Sequence, residues 1–166
     1  MPDMYEPTIA GKSQIGGIMR NDHLACISVL SIPDRPGVAA SLLNALGDRK
    51  LNVQFIVQCI DSQGRDHIVL CVDRADMEAC RCAIEDKAPT LEAEQVSCDA
   101  NAATICIFGP DFRWRPGIAA AMFRALAGEG INILAISTSI SMIMCVISAD
   151  DLDASETAIR DTFDVP

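Results

Sequence analysis

Aromatic and cationic side chains are both scarce in this chain of 166 residues. Phe, Trp and Tyr make up 4% of it although 50% of the residues are hydrophobic, so any core must be aliphatic. Lys and Arg number 13 against 23 Asp and Glu, which gives a formal net charge of −10. Binding to nucleic acid or to an anionic membrane surface requires clustered cations, so this balance argues against both partners.

Long hydrophobic runs are also missing. The most apolar stretches extend for about 6–10 residues before a polar residue interrupts them, whereas a membrane-spanning helix needs about 20. Residues 1–7 have neither a cationic start nor an apolar segment, so they do not resemble a signal peptide. We therefore expect a cytoplasmic protein.

Eight cysteines are present, but their spacing does not suit a metal site or a disulfide framework. The closest pair is Cys80-x-Cys82, no Cys-x-x-Cys occurs, and the two histidines stand apart. Four cysteines lie inside apolar runs, where a thiol packs as a small hydrophobe: Cys26, Cys71, Cys106 and Cys145. We predict reduced core thiols, no metal and no cofactor, with a redox role for Cys80 and Cys82 as the minor alternative.

The sequence repeats itself under a shift of 80 residues. Under that shift the Arg-Pro-Gly triplet at 35–37 falls on the one at 115–117, and Asn52 falls on Asn132. The match needs no gap from residue 25 to residue 58. It then resumes in a shorter register, which sets these residues against one another: Cys71 and Cys145, Ala83-Ile84 and Ala158-Ile159. The chain therefore contains two copies of one small domain.

Each copy has the pattern strand, helix, strand, strand, helix. In the first copy a turn at 33–37 separates an apolar strand from a helix whose apolar stripe is Val38, Leu42 and Leu46. The predicted strands of the first copy are 25–30, 52–60, 68–72 and 91–97, and its second helix is 76–88. The second copy repeats the pattern over 105–108, 116–127, 131–137, 142–148 and 151–163.

A fourth strand is missing from the end of the second copy, because only residues 164–166 follow its last helix. Residues 14–20, ahead of the first copy, are strand-like and have no partner. We predict that this segment crosses over to complete the second domain, so that the first domain is inserted in the second. The predicted domains are 23–99 and 100–166, with a crossover strand at 14–22 and a disordered or extended N-terminus at 1–13.

Strand–helix–strand–strand–helix–strand is the ferredoxin-like βαββαβ arrangement, an α+β fold with two helices on one face of a four-stranded antiparallel sheet. The strands do not alternate between apolar and polar residues, and 142–147 is apolar throughout. Both faces of the sheet are therefore covered. Helices cover one face, so the other must meet a second sheet, from the sister domain or from another subunit.

The sequence has no glycine-rich phosphate loop and no nucleophile–His–acid set. The two repeated loops, 33–39 and 113–119, each bring a glycine and free backbone N–H groups to a helix N-terminus, which favours a carboxylate. Asn52 or Asn132 follows nearby, and Asp34 suits an ammonium group. The pattern fits a free amino acid, while the alternative that Pro-Gly only makes a turn and Asn only opens a strand stays open.

These residues resemble tandem ACT domains, and more narrowly the C-terminal regulatory region of aspartate kinase. The resemblance rests on residues 32–40, 51–58, 115–126 and 130–139, and it runs from about residue 15 to the C-terminus. In that family such domain pairs bind lysine or threonine between two chains and pass feedback inhibition to a kinase domain. The resemblance therefore implies a non-catalytic regulatory protein that forms a homodimer or higher oligomer and contacts a kinase chain.

Carried over residue by residue, the resemblance implies effector contacts from both copies. In the first copy these are Asp34, Gly37, Val38, Ala39, Asn52, Val53 and Gln58. In the second copy they are Gly117, Ile118, Asn132, Ile133, Ser137, Thr138 and Ser139.

The chain departs from the family pattern in two respects. It contains no kinase domain, as expected of a separate regulatory chain or of a fragment. Ile140 stands where the family commonly has an acidic residue, so no acceptor for a cationic effector side chain is implied there. Two other functions stay open: a free-standing amino-acid sensor for another enzyme, and an acylphosphatase-like hydrolase built from Arg35 or Arg115 with the matching Asn.

Overall fold

The computed structural model describes residues 12–110 and 112–166. In chain order its elements are β1 Ser13–Gln14, β2 Gly17–Pro33, α1 Val38–Gly47, β3 Val53–Ile60, β4 Arg65–Asp73, α2 Met77–Leu91, β5 Gln95–Phe108, α3 Ile118–Gly128, β6 Ala135–Thr138, β7 Met142–Ser148, α4 Leu152–Thr162 and β8 Phe163–Asp164. The α+β fold with two βαββαβ-like units is confirmed. None of the helices in these residues is long and apolar enough to cross a membrane.

Six of the strands form one sheet in the order β3-β4-β2-β5-β7-β6. The sequence suggested two separate sheets, but β2 has 17 residues and β5 has 14, so each belongs to both halves. No glycine or proline interrupts residues 18–32 or 95–108, which lets each strand continue through the junction. The register shifts around residues 21–26 of β2 are bulges that absorb the change of direction between the halves.

Residues 17–21 lie antiparallel to residues 104–108 of β5, beside the second half of the chain. Ile15 is 3% exposed within the core of that half, and β1 pairs in parallel with β8. The inserted arrangement, with its boundaries at 22/23 and 99/100, stays a prediction that this pairing supports. Of the predicted irregular N-terminus, residues 1–11 lie outside the described residues, and Ser13 belongs to β1.

The helices pack on one face of the sheet in two clusters. In the first half Leu42 of α1 and Ile84 of α2 pack with Ile27 and Leu70. In the second half the same layer is built by α3 and α4, with Met122 among its fully buried side chains. The predicted correspondence of α2 with α4 is confirmed, because Ile84 in one core matches the fully buried Ile159 in the other. Ala83 and Ala158, the residues before them, are buried too.

The face opposite the helices carries a third cluster, which joins the two halves. Its members, here called the inter-half cluster, are Leu24, Cys26, Phe55, Cys71, Ala102 and Val146. The sheet bends so that parts of β3 and β6, its two outer strands, have Cα atoms within 8 Å of each other. Part of this face is therefore covered within one chain, but by the other half of the same bent sheet and not by a separate second sheet.

Two expectations about the elements are wrong. Cys71 and Cys145 are not equivalent, because Cys71 lies in the inter-half cluster whereas Cys145 faces α3 and α4. The fourth strand does not begin at Leu91, because α2 continues past Pro89 and ends with Glu92 in the left-handed region, at φ 58°. A proline in the last turn of a helix disturbs few backbone bonds, so the predicted stop at residue 88 came too early.

The cysteines behave as packed thiols. The four predicted core cysteines are buried, and so is Cys80, whereas Cys82 is exposed. Positions two apart on a helix do not face each other, so Cys80 and Cys82 do not form a redox pair. Burial raises the pKa of the Cys80 and Cys106 thiols to about 11 and that of Cys145 to about 12, which keeps them protonated at neutral pH.

Truncation of the inter-half cluster tests whether the halves unfold together. Leu24 is 1% exposed and contacts residues of both halves, so we expect Leu24→Ala to lower the free energy of unfolding by about 2–5 kcal/mol within a single transition. Leu134 is 45% exposed, and the control Leu134→Ala should cost less than about 1 kcal/mol. Two separate transitions in denaturant, only one of them moved by Leu24→Ala, would show that the halves are independent.

Candidate functional site

The turn before α1 recurs before α3 with the same backbone geometry. α1 is preceded by Gly37 at φ 95° and α3 by Gly117 at φ 94°, a left-handed conformation that favours glycine. Neither helix has a side-chain cap, so Asp34 does not cap α1. The glycine of each Pro-Gly pair therefore does make the turn into the helix, as the structural alternative in the sequence analysis expected. A role in the turn does not exclude a role in binding.

The first turn of α1 leaves donors free. The Ser41 N–H bonds to the Gly37 carbonyl at 2.8 Å, but the N–H groups of Ala39 and Ala40 have no acceptor among the described residues. Free N–H groups and the positive end of the helix dipole together favour an anion such as a carboxylate.

A cavity of about 430 Å³ opens at this helix end. Its lining is Asp34, Arg35, Pro36, Gly37, Val38, Ala39, Ala40 and Gln58. Five of the seven residues predicted for the first copy are therefore brought together. Asn52 and Val53 are not among the lining residues, since Asn52 is exposed at the start of β3 and Val53 packs against the first core.

The second copy forms a smaller cavity, of about 240 Å³, at the N-terminus of α3. Its lining is Phe112, Arg113, Arg115, Pro116, Gly117, Ile118, Ala119, Thr138, Ser139 and Ile143. Four predicted residues take part, and three do not. Asn132 and Ser137 are exposed elsewhere, and Ile133 packs against the second core.

The two cavities differ in charge. In the first, Arg35 donates through Nη1 to Glu92 at 2.8 Å and through Nη2 to the Thr90 carbonyl at 2.8 Å, so its charge is compensated. In the second, Arg113 lies over the Trp114 ring, 5.5 Å from its centroid, and Arg115 donates to the Gln14 carbonyl at 2.5 Å. Within the described part of the chain neither of these two arginines forms an ion pair, so the second cavity is cationic.

The lining arginines were missed as binding candidates by the sequence reasoning, which assigned Arg35 and Arg115 only to a hydrolase alternative. The available signal was their presence in both copies of the Arg-Pro-Gly motif. Phe112 and Ile143 carried no such signal, because their apolar character is equally typical of a core. Among residues 12–110 and 112–166 no three His, Cys, Asp or Glu side chains are grouped to hold a metal ion.

The turn between β3 and β4 supports the first cavity. Asp61 accepts N–H groups from Gln63 at 2.8 Å and Arg65 at 3.0 Å, and its other oxygen lies 3.1 Å from His67 Nε2. The Arg65 N–H, followed by the His67 ring, holds the pKa of the Asp61 carboxyl below its usual value. This turn also presents the Gly64 carbonyl, which accepts the Asp34 N–H at 3.2 Å and so fixes the start of the cavity loop.

The fold and the paired loop cavities define a tandem pair of small α+β domains. Two family profiles, both describing the ACT domain, match this chain, one over residues 27–78 and the other over residues 105–163. The two matches together span about two thirds of the sequence. The chain belongs to the ACT domain family.

The chain is similar to aspartate kinases and to a regulatory subunit of aspartate kinase. An aspartate kinase from Pseudomonas putida is 32% identical over 151 residues, which cover 91% of this chain and 37% of that protein. The regulatory subunit of aspartate kinase from Thermus thermophilus, solved in its ligand-free form, superposes with a TM-score of 0.83 at 27% identity, over 92% of this chain and 100% of that chain. The chain thus spans about a third of the length of the curated relatives it matches.

The pKa of Asp61 gives a pH test of the turn that supports the cavity. A carboxyl whose pKa is lower in the folded protein stabilises the fold above its unfolded pKa of about 4, and loses that effect as the pH falls through the folded pKa. We expect Asp61→Asn to lower the melting temperature at pH 7, and the deficit to shrink as the pH falls below about 4. The exposed Asp161 provides the control Asp161→Asn, and a deficit for Asp61→Asn that does not change with pH contradicts this role.

Proposed function

We propose that this chain is a non-catalytic regulatory protein of the cytoplasm, which binds a free amino acid at the N-terminus of α1 and acts on a kinase chain. The observation that carries the proposal is the first cavity, where unpaired N–H groups, an amide side chain and a carboxylate surround about 430 Å³. The similarity of the chain to a solved regulatory subunit of aspartate kinase supports a kinase chain as the partner.

Each group of an amino acid has a counterpart in this cavity. The carboxylate fits the Ala39 and Ala40 N–H groups at the positive end of α1. Asp34 adds a negative charge to the lining, and Gln58 offers both a donor and an acceptor. The cavity volume lies at the lower end of the about 300–1,000 Å³ typical of small-molecule sites. Lysine and threonine are the effectors that the family resemblance implies.

The second cavity is the weaker candidate for the same ligand. It is smaller, and it presents Arg113 and Arg115 with no acidic side chain among the described residues of its lining. Thr138 and Ser139 add hydroxyl groups, so it suits a carboxylate better than an ammonium group. We therefore assign the amino acid to the first cavity.

Thermal stability in the presence of each of the twenty amino acids tests this function. A ligand that binds only the folded protein raises the melting temperature of the protein by mass action. At a ligand concentration of a hundred times the Kd, the free energy of unfolding rises by about 2.7 kcal/mol. We expect a rise with lysine or threonine at millimolar concentration.

The other outcomes separate the alternatives. A rise with a different amino acid would favour the free-standing sensor, since the site would then belong to another pathway. Flat curves with all twenty, both alone and with an aspartate kinase catalytic chain added, would overturn amino-acid binding.

We further propose that the outer strands β3 and β6 take part in dimerisation. Both strands carry large apolar side chains in contact with solvent: Ile56 and Ile60 on β3, and Ile136 on β6. Exposed apolar sheet edges favour association with another sheet.

Charge placed on these strands tests the dimer. We expect a mass of about twice 17.8 kDa in sedimentation equilibrium, and a shift toward the monomer for Ile56→Lys and Ile136→Lys. The control Ala79→Lys adds the same charge to the exposed side of α2 and should leave the mass unchanged. A monomeric wild type at micromolar concentration, with and without lysine and threonine, argues against dimerisation.

An acylphosphatase-like activity is not favoured by the site. Arg35 is held by Glu92 and the Thr90 carbonyl, and Asn52 is not among the residues that line the cavity with it. Arg35 is already neutralised by Glu92, and the exposed Asn52 lies before β3, so the two are not arranged to bind one phosphate.

A further inference from the structure

Asp66 carries a buried carboxyl group without a hydrogen-bond partner. Its side chain is fully buried, and in the described part of the chain its two carboxylate oxygens are the only buried side-chain polar atoms that lack a hydrogen bond. Buried carboxylates are normally paired or hydrogen-bonded, because the loss of hydration is costly. An unpaired one therefore points to a partner that arrives from outside the chain.

The strand register brings Asp66 next to the first cavity. On β4 it lies directly opposite Ile32 of β2 and Ile60 of β3. Two residues further along β4, Ile68 lies opposite Gln58, which lines the cavity. Residues opposite one another, or two apart on one strand, project from the same face, and Ile32 and Ile68 belong to the core beneath α1 and α2. The Asp66 side chain therefore projects toward the helices from β4, the strand next to β3, which carries the cavity-lining Gln58.

The loop that forms the cavity starts beside Asp66. β2 ends at Pro33, one residue after Ile32, and the Asp34 N–H is tied to the Gly64 carbonyl two residues before Asp66. Arg35 is the cation of this loop, and it is already held by Glu92. The loop therefore supplies no positive charge to Asp66.

Two sets of polar groups without partners thus lie toward the same end of α1, although Asp66 is enclosed and is not among the residues that line the cavity. One is the pair of N–H groups of Ala39 and Ala40, and the other is the carboxylate of Asp66. An α-amino acid carries a carboxylate and an ammonium group on one carbon atom, so a single small molecule can satisfy both sets.

We propose that Asp66 accepts the ammonium group of the bound amino acid, while the first turn of α1 takes its carboxylate. The inference rests on the proposed function, and it assigns to Asp66 the role that the sequence suggested for Asp34. Because Asp66 is enclosed, entry of the amino acid displaces the loop at residues 34–37, all four of which are exposed.

The second half has no counterpart of this carboxylate. Thr138 lies opposite Ile143 as Gln58 lies opposite Ile68, so the position that matches Asp66 is Ser141. Residues 138–143 contain no acidic side chain at all. Recognition of an ammonium group by a carboxylate at this strand position is therefore restricted to the first half.

Asp66→Asn tests the proposal, because it keeps the shape of the side chain and removes its charge. The free variant should melt at the same temperature as wild type or higher, since an unpaired buried charge has been removed. Its affinity for the amino acid that stabilises wild type, with L-threonine and L-lysine as the probes, should fall by at least about tenfold, as expected for a lost charge-assisted hydrogen bond. Asp161→Asn is the matched control, and it should change neither quantity.

The outcomes separate this proposal from the function on which it rests. If wild type responds to neither threonine nor lysine, nor to any other amino acid, the proposed function itself fails. If wild type responds and Asp66→Asn responds equally, the function stands and the role of Asp66 is wrong. A lower melting temperature of the free variant also overturns the role, because it means that the carboxylate already has a partner in the free protein.

Discussion

The pairing of β2 with β5 runs in antiparallel register from Gly17 and Phe108 at one end to Leu30 and Gln95 at the other. The other four strands of the sheet depend on it, because β4 and β7 pair with it directly and carry the outer strands β3 and β6. Its two strands serve both halves of the chain, so neither half has a complete sheet without the other. The inter-half cluster and the two helix-covered cores form on opposite faces of the same hydrogen-bonded ribbon. The bulges near the middle of the ribbon let the sheet bend while the helices stay on one side.

Much of the fold was predictable because both copies of the repeat show the same order of apolar segments and turn residues. The helix that begins at Val38 and the strand at residues 142–148 were found with these bounds, since periodicity and turn residues agree there. The continuity of β2 and β5 was not predictable, because composition does not reveal whether two apolar segments form one strand. Cys71 and Cys145 were misaligned by one residue, and because side chains alternate along a strand, one residue changes the face.

The candidate site was predictable as a loop but not as a set of contacts. Local sequence identified Gly37 and Gly117, whose backbone angles only glycine adopts readily. It could not reveal that Arg35 turns away to Glu92, or that Asp66 is enclosed without a partner, because both depend on residues far away in the chain. The two related cavities therefore differ in volume and in the charge of their linings, although the motif that forms them is duplicated.

The length of β2 relates the positions of the two cavities. Arg115 of the second cavity holds the carbonyl of Gln14, three residues before β2 begins, and β2 ends at Pro33, where the loop of the first cavity starts. A strand of 17 residues extends on the order of 50 Å. The two cavities therefore lie at opposite ends of one continuous strand, which the bulges at residues 21–26 bend near its middle.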